Sequence, residues 1–251
     1  MKLYEIVFSP TGGTERAADM ITAEWALPAA KIDLTNPHIA EAALGKEDLA
    51  VIAVPSYGGR VPALAAGRLA LLHGTETPCV LLCVYGNRAY EDTLVEMQDL
   101  ARANGFRVIA AIAAVAEHSI MHQYATGRPD RQDADSLKNF SHQIWTKYKS
   151  GQQTDPSLPG NRPYKKAGGA GMVPKAGSGC VKCGLCAKDC PVQAISPDFL
   201  KTADRKKCIS CMRCVVRCPH HARSINTAML TVASLALKAA CSQRKENELF
   251  L

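Results

Sequence analysis

The sequence has no apolar run long enough to cross a bilayer. Its longest weakly polar stretches, 108–116 and 227–240, fall short of the roughly 20 residues a spanning helix needs. The few apolar residues after Met1 meet a polar, glycine-containing turn too early to serve as the apolar region of a secretory leader. Neither a membrane span nor secretion is expected. Aromatic residues are scarce, at 6%, and form no stacking platform beside the basic charge, so no nucleic-acid partner is expected either. There is no G-x-G-x-x-G and no glycine loop ending in Gly-Lys-Ser/Thr, which disfavours dinucleotide and ATP sites. No pair of groups placed for proton transfer stands out, and no catalytic residue is assigned.

What is present is apolar material for a sizeable core, 47% of residues against 21% charged, and a length of 251 residues that suits one ordinary domain and a smaller one. The net charge of +7 is unevenly placed. Residues 1–150 hold 14 Lys and Arg against 17 Asp and Glu, a net −3, whereas residues 151–251 hold 16 against 6, a net +10. Of the 11 cysteines, eight sit in two compact runs of a kind that needs free thiolates. A disulfide scaffold is therefore not expected, and a reducing, cytoplasmic location is, most simply in an anaerobe.

Short apolar runs at 3–8, 31–34, 49–54, 79–84 and 108–115 alternate with segments of helical period at 14–25, 62–72, 90–104 and 133–149. The alternation predicts an α/β, doubly wound, five-stranded parallel sheet over residues 1–150. Gly, Pro and Ser then dominate 151–177, which reads as a linker: either a free tether or a strap pinned across the first domain by Arg162, Tyr164 and Met172. Residues 178–225 contain an internal repeat. In 226–251, Met229, Leu230, Ala233, Leu237 and Ala240 fall on one face of a helix expected to dock on the body, with a short tail after it.

The repeat is made of cysteines. Cys180, Cys183, Cys186, Cys190 and Pro191 recur 28 residues later as Cys208, Cys211, Cys214, Cys218 and Pro219. Each run is C-x2-C-x2-C-x3-C-P, the spacing in which three thiolates hold one 4Fe-4S cube and the fourth reaches the neighbouring cube. Cluster one would use Cys180, Cys183, Cys186 and Cys218; cluster two would use Cys208, Cys211, Cys214 and Cys190. Thiolates also suit zinc, but zinc modules usually pair C-x2-C units across a longer loop. Cys79, Cys83 and Cys241 lack partners at ligand spacing, and the first two read as core residues.

Directly after the first strand comes Ser9-Pro10-Thr11-Gly12-Gly13-Thr14, followed by a helix. A hydroxyl- and glycine-rich turn at a helix N-terminus aims several N–H groups at an anion, and its uncharged hydroxyls suit the phosphate of FMN. Two further loops follow the third and fourth strands. One holds Pro55, Ser56, Tyr57, Gly58, Gly59 and Arg60, and the other Tyr85, Gly86, Asn87, Arg88 and Tyr90. In a doubly wound sheet of order 2-1-3-4-5 all three loops meet at the carboxyl ends of the strands, where ligands bind. Arg60 and Arg88 are either surface charges or cations beside the ring's N1 and O2 edge.

Residues 178–225, through GCVKCGLCAKDCPVQAI and KCISCMRCVVRCPHHA, closely resemble the small α+β two-cluster bacterial ferredoxins. The departure is charge: such ferredoxins are typically acidic, whereas Lys182, Lys188, Arg205, Lys206, Lys207, Arg213 and Arg217 make this module basic. Together with residues 1–150 the runs resemble the EFR1-type flavodoxin-ferredoxin fusion family, over nearly the whole chain. That resemblance implies a flavodoxin-like first domain in which Ser9, Thr11, Gly12, Gly13 and Thr14 hold the FMN phosphate and the Tyr57 and Tyr85 loops flank the isoalloxazine. Gly58 and Gly86 would permit close approach to the ring. Glu117-His118-Ser119 also fits the family, with His118 either at the flavin rim or a structural histidine. The expected role is electron transfer through FMN and two 4Fe-4S clusters to redox partner proteins with an acidic docking face. An FMN-dependent reductase fed by the clusters and a flavin-free scaffold are the rival readings.

Overall fold

A computed structural model describes residues 1–152, 154–169 and 171–251. The first part of the chain forms β1 (Leu3–Val7), α1 (Gly13–Thr22) with a 3-10 turn at Ala23–Trp25, β2 (Ala29–Asp33), β3 (Ala42–Leu44), β4 (Leu49–Pro55) and α2 (Ala63–Leu69). It continues through β5 (Leu72–Gly74), β6 (Thr77–Tyr85), α3 (Thr93–Ala103), β7 (Phe106–Val115) and α4 (Arg131–Lys149). The second part holds β8 (Lys175–Ala176), α5 (Leu185–Lys188), α6 (Arg213–Val216), β9 (Arg223–Ser224), α7 (Thr227–Cys241) and β10 (Glu248–Phe250).

The main sheet runs β10-β7-β6-β4-β1-β2. Its members from β7 to β2 are mutually parallel, and β10 pairs antiparallel with β7 at the edge. The five-stranded expectation is thus corrected to six by three residues of the C-terminal tail, too short and too charged in their surroundings to read as a strand. A second pair, β3 with β5, is equally short. Central strands are covered on both sides, which is why they read as unbroken apolar runs. Alternate side chains feed two cores: Ile6, Phe8, Ile52 and Leu81 pack with Leu94 and Met97 of α3, whereas Val7, Val51, Val80 and Leu82 pack with Ile21 of α1 and Leu137 of α4.

The linker reading resolves to a strap. Expected over 151–177, it includes positions 153 and 170, which lie outside the described residues. Asp155 accepts hydrogen bonds from Gln98 and Arg102, the Asn161 and Lys165 N–H groups donate to Asp92, and Arg162 and Tyr164 donate to Asp99. Every one of these anchors lies on α3 or at its N-terminus. The Arg162 guanidinium holds the Asp99 carboxyl below the usual carboxylate range, and the Lys165 N–H does the same for Asp92.

The tail is fastened with equal care. Asn87 is buried; its amide donates to the Cys241 and Gln243 carbonyls at 2.7 and 2.8 Å, and its oxygen accepts from the Lys245 N–H at 3.1 Å. Asn247 then accepts from the Val115 N–H and donates to Asp133 and Ser136. Because Asn87→Ala strips the partners from three backbone groups, we expect it to cost about 2 kcal/mol. Amide exchange should show β10 opening ahead of the other strands; exchange unchanged there would contradict the pinning role.

In the cysteine-rich module the 28-residue repeat is visible as structure. The short helices α5 and α6 occupy equivalent positions, each behind a left-handed residue, Gly184 in one and Met212 in the other. Of the expected α7 face, Leu230, Ala233 and Leu237 pack with Met121, Tyr124, Met172 and Met212, while Met229 and Ala240 are exposed. The buried stripe is instead continued by Cys241. Among the described residues no helix is long and apolar enough to cross a membrane.

Candidate cofactor sites

Two small cavities are each lined by four cysteines. One is bounded by Cys180, Cys183, Cys186 and Cys218, the other by Cys190, Cys208, Cys211 and Cys214. Each therefore takes three thiols from one run and the fourth from the other. The exchange arises because the chain turns back after the third cysteine, at α5 and α6, and carries the fourth across the pseudo-symmetric module. Backbone N–H groups meet the crossing sulfurs in both halves: Ala194 donates to Cys190 and Ala222 to Cys218, each at 3.3 Å. Among the described residues no three His, Cys, Asp or Glu groups converge on one ion. Thiols spread around a cavity fit a cube better than a single tetrahedral zinc. Burial pushes the Cys211 thiol up to about 12 and Cys214 up to about 11, so these sulfurs need bound cations to stay ionised at neutral pH.

The two cavities differ in exposure. Cys190 and Cys211 are buried, whereas Cys183 is exposed, with Val181 at 60% exposure beside it. The buried cavity lies against the first domain. Its Ile209 packs on the core cluster that contains Phe8, and Tyr57 packs on the same cluster, edge-on to Phe8 at 6.5 Å. Burial pushes the Tyr57 hydroxyl pKa upward, and the neighbouring Cys211 sulfur pushes it the same way. Arg68 on α2, itself buried, fastens this junction by donating to the Leu34 carbonyl and to the carbonyl of Pro191, the residue after Cys190.

At the head of β1, Gly12 caps α1 with φ of 90°, a left-handed conformation that glycine adopts without strain. The Ser9 hydroxyl accepts the Glu15 N–H at 3.0 Å, which fixes the turn and leaves the hydroxyl proton of Ser9 free to donate. Arg16 makes the first intrahelical bond, to Gly12. The N–H groups of Gly13 and Thr14 belong to the helix start, which has no intrahelical acceptors for them, and they are available to an anion.

Of the ring loops, Ser56 and Tyr57 stand at the end of β4, with the Ser56 hydroxyl 2.8 Å from that of Thr93. Gly58 lies under the strap, where a Cβ would stand 3.3 Å from the Gly168 carbonyl oxygen. In the second loop the side chains are largely spent elsewhere. Asn87 holds the tail, Arg88 forms an ion pair with Glu91 at 2.9 Å, and Tyr90 donates to Glu248 while meeting Tyr85 edge-on at 5.2 Å. Arg60 grips Glu96 with two bonds and sits 4.8 Å over the Tyr164 ring. Both arginines therefore already have carboxylate partners. Gly86 is required by a neighbour inside the chain, since its missing Cβ would come 2.7 Å from the His118 ring. That ring accepts the Ile120 and Met121 N–H groups at Nδ1, and burial lowers its pKa. His118 is thus held neutral with its proton on Nε2. The Arg68 contact with Pro191 and the C-terminal tail carry no signal in the sequence, because their partners lie more than a hundred residues away.

Residues 179–223 match the family described as 4Fe-4S dicluster domain. Over 45 residues the chain is 44% identical to a component of an ion-translocating oxidoreductase complex from Methanosarcina acetivorans; the match spans 18% of this chain and 17% of that protein. Among solved structures, a flavodoxin from Streptococcus pneumoniae TIGR4 aligns with 58% of this chain and 99% of its own, at 19% identity and a TM-score of 0.40. A Fusobacterium nucleatum flavodoxin bound to flavin mononucleotide covers 59% and 99%, at 14% identity and a TM-score of 0.39. The segment that matches the 4Fe-4S dicluster domain therefore lies behind the parallel α/β sheet described above.

Proposed function

We propose that this chain is an electron-transfer protein that uses FMN at the carboxyl ends of its parallel strands and two 4Fe-4S clusters in its cysteine-lined cavities. The observation that carries the reading is the junction: the buried cavity of Cys190, Cys208, Cys211 and Cys214 adjoins Tyr57 of the ring loop, while the other cavity faces solvent. When bound, the cubes supply one-electron exchange and the flavin supplies one- or two-electron exchange. The chain's own residues provide alignment. Arg68 and Ile209 fix the module on the first domain, the α3 strap covers the Gly58 side, and Ser9 holds the phosphate turn in shape.

The test is anaerobic reduction of the purified chain followed at separate flavin and cluster wavelengths. Equilibration within one molecule predicts a rate independent of protein concentration. A rate proportional to concentration, or a chain without yellow chromophore, would reject the relay. Rapid turnover of quinones, free flavins or unsaturated acceptors in the same preparation would assign a reductase instead.

The phosphate assignment has its own check. Replacing Thr11 and Thr14 together by Val removes two hydroxyl donors at about 1.5 kcal/mol each, so FMN affinity should fall about a hundredfold with both clusters intact. Titration of apoprotein with FMN measures this; unchanged affinity would move the phosphate elsewhere.

A further inference from the structure

The two halves of the cysteine repeat carry different residues at a position that is buried in both. Cys190-Pro191-Val192-Gln193-Ala194-Ile195 aligns at the 28-residue offset with Cys218-Pro219-His220-His221-Ala222-Arg223. Ile195 and Arg223 are each only 3% exposed, so an arginine fills the place its own repeat gives to an aliphatic side chain. The guanidinium donates to the Leu200 carbonyl at 2.7 Å, to the Pro174 carbonyl at 2.9 Å and to the Cys186 sulfur at 3.6 Å. No carboxylate is among these partners, and its buried Nε has no hydrogen-bond partner among the described residues. Neutral carbonyls satisfy hydrogen bonds but do not neutralise a charge, and an uncompensated buried cation is costly. Arg223 lines the cavity of Cys180, Cys183, Cys186 and Cys218 and meets one of its sulfurs, that of Cys186.

We infer that Arg223 is a buried countercharge at the cluster of Cys180, Cys183, Cys186 and Cys218, placed to raise its reduction potential. The inference rests on the two-cluster reading. Each one-electron reduction takes a cube with four thiolates from −2 to −3, and a fixed cation in a medium of low dielectric stabilises the more negative state. Removing the cation should make that couple harder to reduce.

The test uses Arg223→Met, which keeps the long stem without charge, and Arg223→Lys, which keeps charge without the fork. Iron and sulfide per chain are counted first, so that loss of a cluster is separated from a change in its potential. Spectroelectrochemistry with electron paramagnetic resonance then reads both couples. With full iron content, Arg223→Met should lower the equilibrium constant for reduction of that cluster about tenfold, which is 59 mV for a one-electron couple. Arg223→Lys should retain most of the original value. An unchanged potential of that cluster in Arg223→Met would make the arginine a mere staple, and a shift confined to the other cluster would overturn the placement. If Arg223→Met fails to assemble its clusters, the unmodified protein decides: a buried charge predicts potentials nearly independent of ionic strength. Potentials that fall tenfold-equivalent as salt rises would assign the tuning to surface lysines and overturn the proposal.

Discussion

Replacing Cys190 by alanine should damage the cluster held by Cys208, Cys211 and Cys214 and leave the cluster of its own run intact. The unmodified chain should contain about eight iron and eight acid-labile sulfide, as expected for eight thiolates around two cubes. The expectation for the variant follows from the cavities: Cys190 lines the one bounded by the second run, and Cys218 the one bounded by the first. Cys190→Ala should therefore retain about four iron per chain, with the surviving signal that of the solvent-facing site. Cys218→Ala should do the reverse. On the proposed reading the two variants are distinguishable by electron transfer to the flavin, because the cavity of Cys190, Cys208, Cys211 and Cys214 packs on the first-domain core through Ile209. Rapid internal reduction should thus persist in Cys218→Ala and fail in Cys190→Ala. Loss of the same cluster in both variants, or a total near four iron in the unmodified chain after full reconstitution, would dismiss the crossed arrangement.

The chemistry of the cysteine module is legible in the sequence because it is set by local spacing. A C-x2-C-x2-C turn points its thiols inward wherever it occurs, and only the partner of the fourth thiol depends on the remainder of the fold. The parallel strands are legible for a similar reason, since burial on both faces leaves a continuous apolar run such as Leu49–Pro55. The ring loops are a different case. Asn87, Arg88 and Tyr90 have the right position along the chain for a flavin loop, but the C-terminal tail takes up the Asn87 and Tyr90 side chains from more than 150 residues away and caps the Arg88 carbonyl through Lys245. No local pattern announces that. The Asp92 and Asp99 anchors of the strap are hidden likewise, because carboxylates on a helix usually mean a solvated face. The α7 helix shows an intermediate case: its period is clear, yet Met229 is exposed because the helix is apolar nearly all round and only its neighbours choose the buried stripe. Arg223 is within reach of sequence reasoning, by laying one repeat over the other and asking why an arginine stands where Ile195 does.

Charge reversal at the rim of the solvent-facing cavity should slow electron exchange with a partner by about tenfold at low ionic strength, within the range that electrostatic steering commands. The rim carries Lys182 and Lys188, both exposed, beside the exposed Cys183 and Val181. The C-terminal part has a net charge of +10, and on the proposed two-cluster reading two oxidised cubes at −2 each would leave it about +6, so the proposed partner would present an acidic face. The distinction that matters is between a general basic field and docking at this rim. Lys206 and Lys207 are also exposed but precede Cys208, which lines the buried cavity. Converting either pair to Glu changes the net charge by the same amount. Docking at the rim predicts that Lys182→Glu with Lys188→Glu slows the bimolecular rate markedly more than Lys206→Glu with Lys207→Glu, with both chromophores bound in each. The difference should shrink at physiological salt, where screening acts within about 8 to 10 Å. Internal transfer to the flavin should be unaffected in both variants, because it crosses the Tyr57 junction and not the rim. Equal slowing by the two pairs would leave a diffuse field as the cause, and a rate indifferent to both pairs and to salt would remove the basic surface from partner recognition.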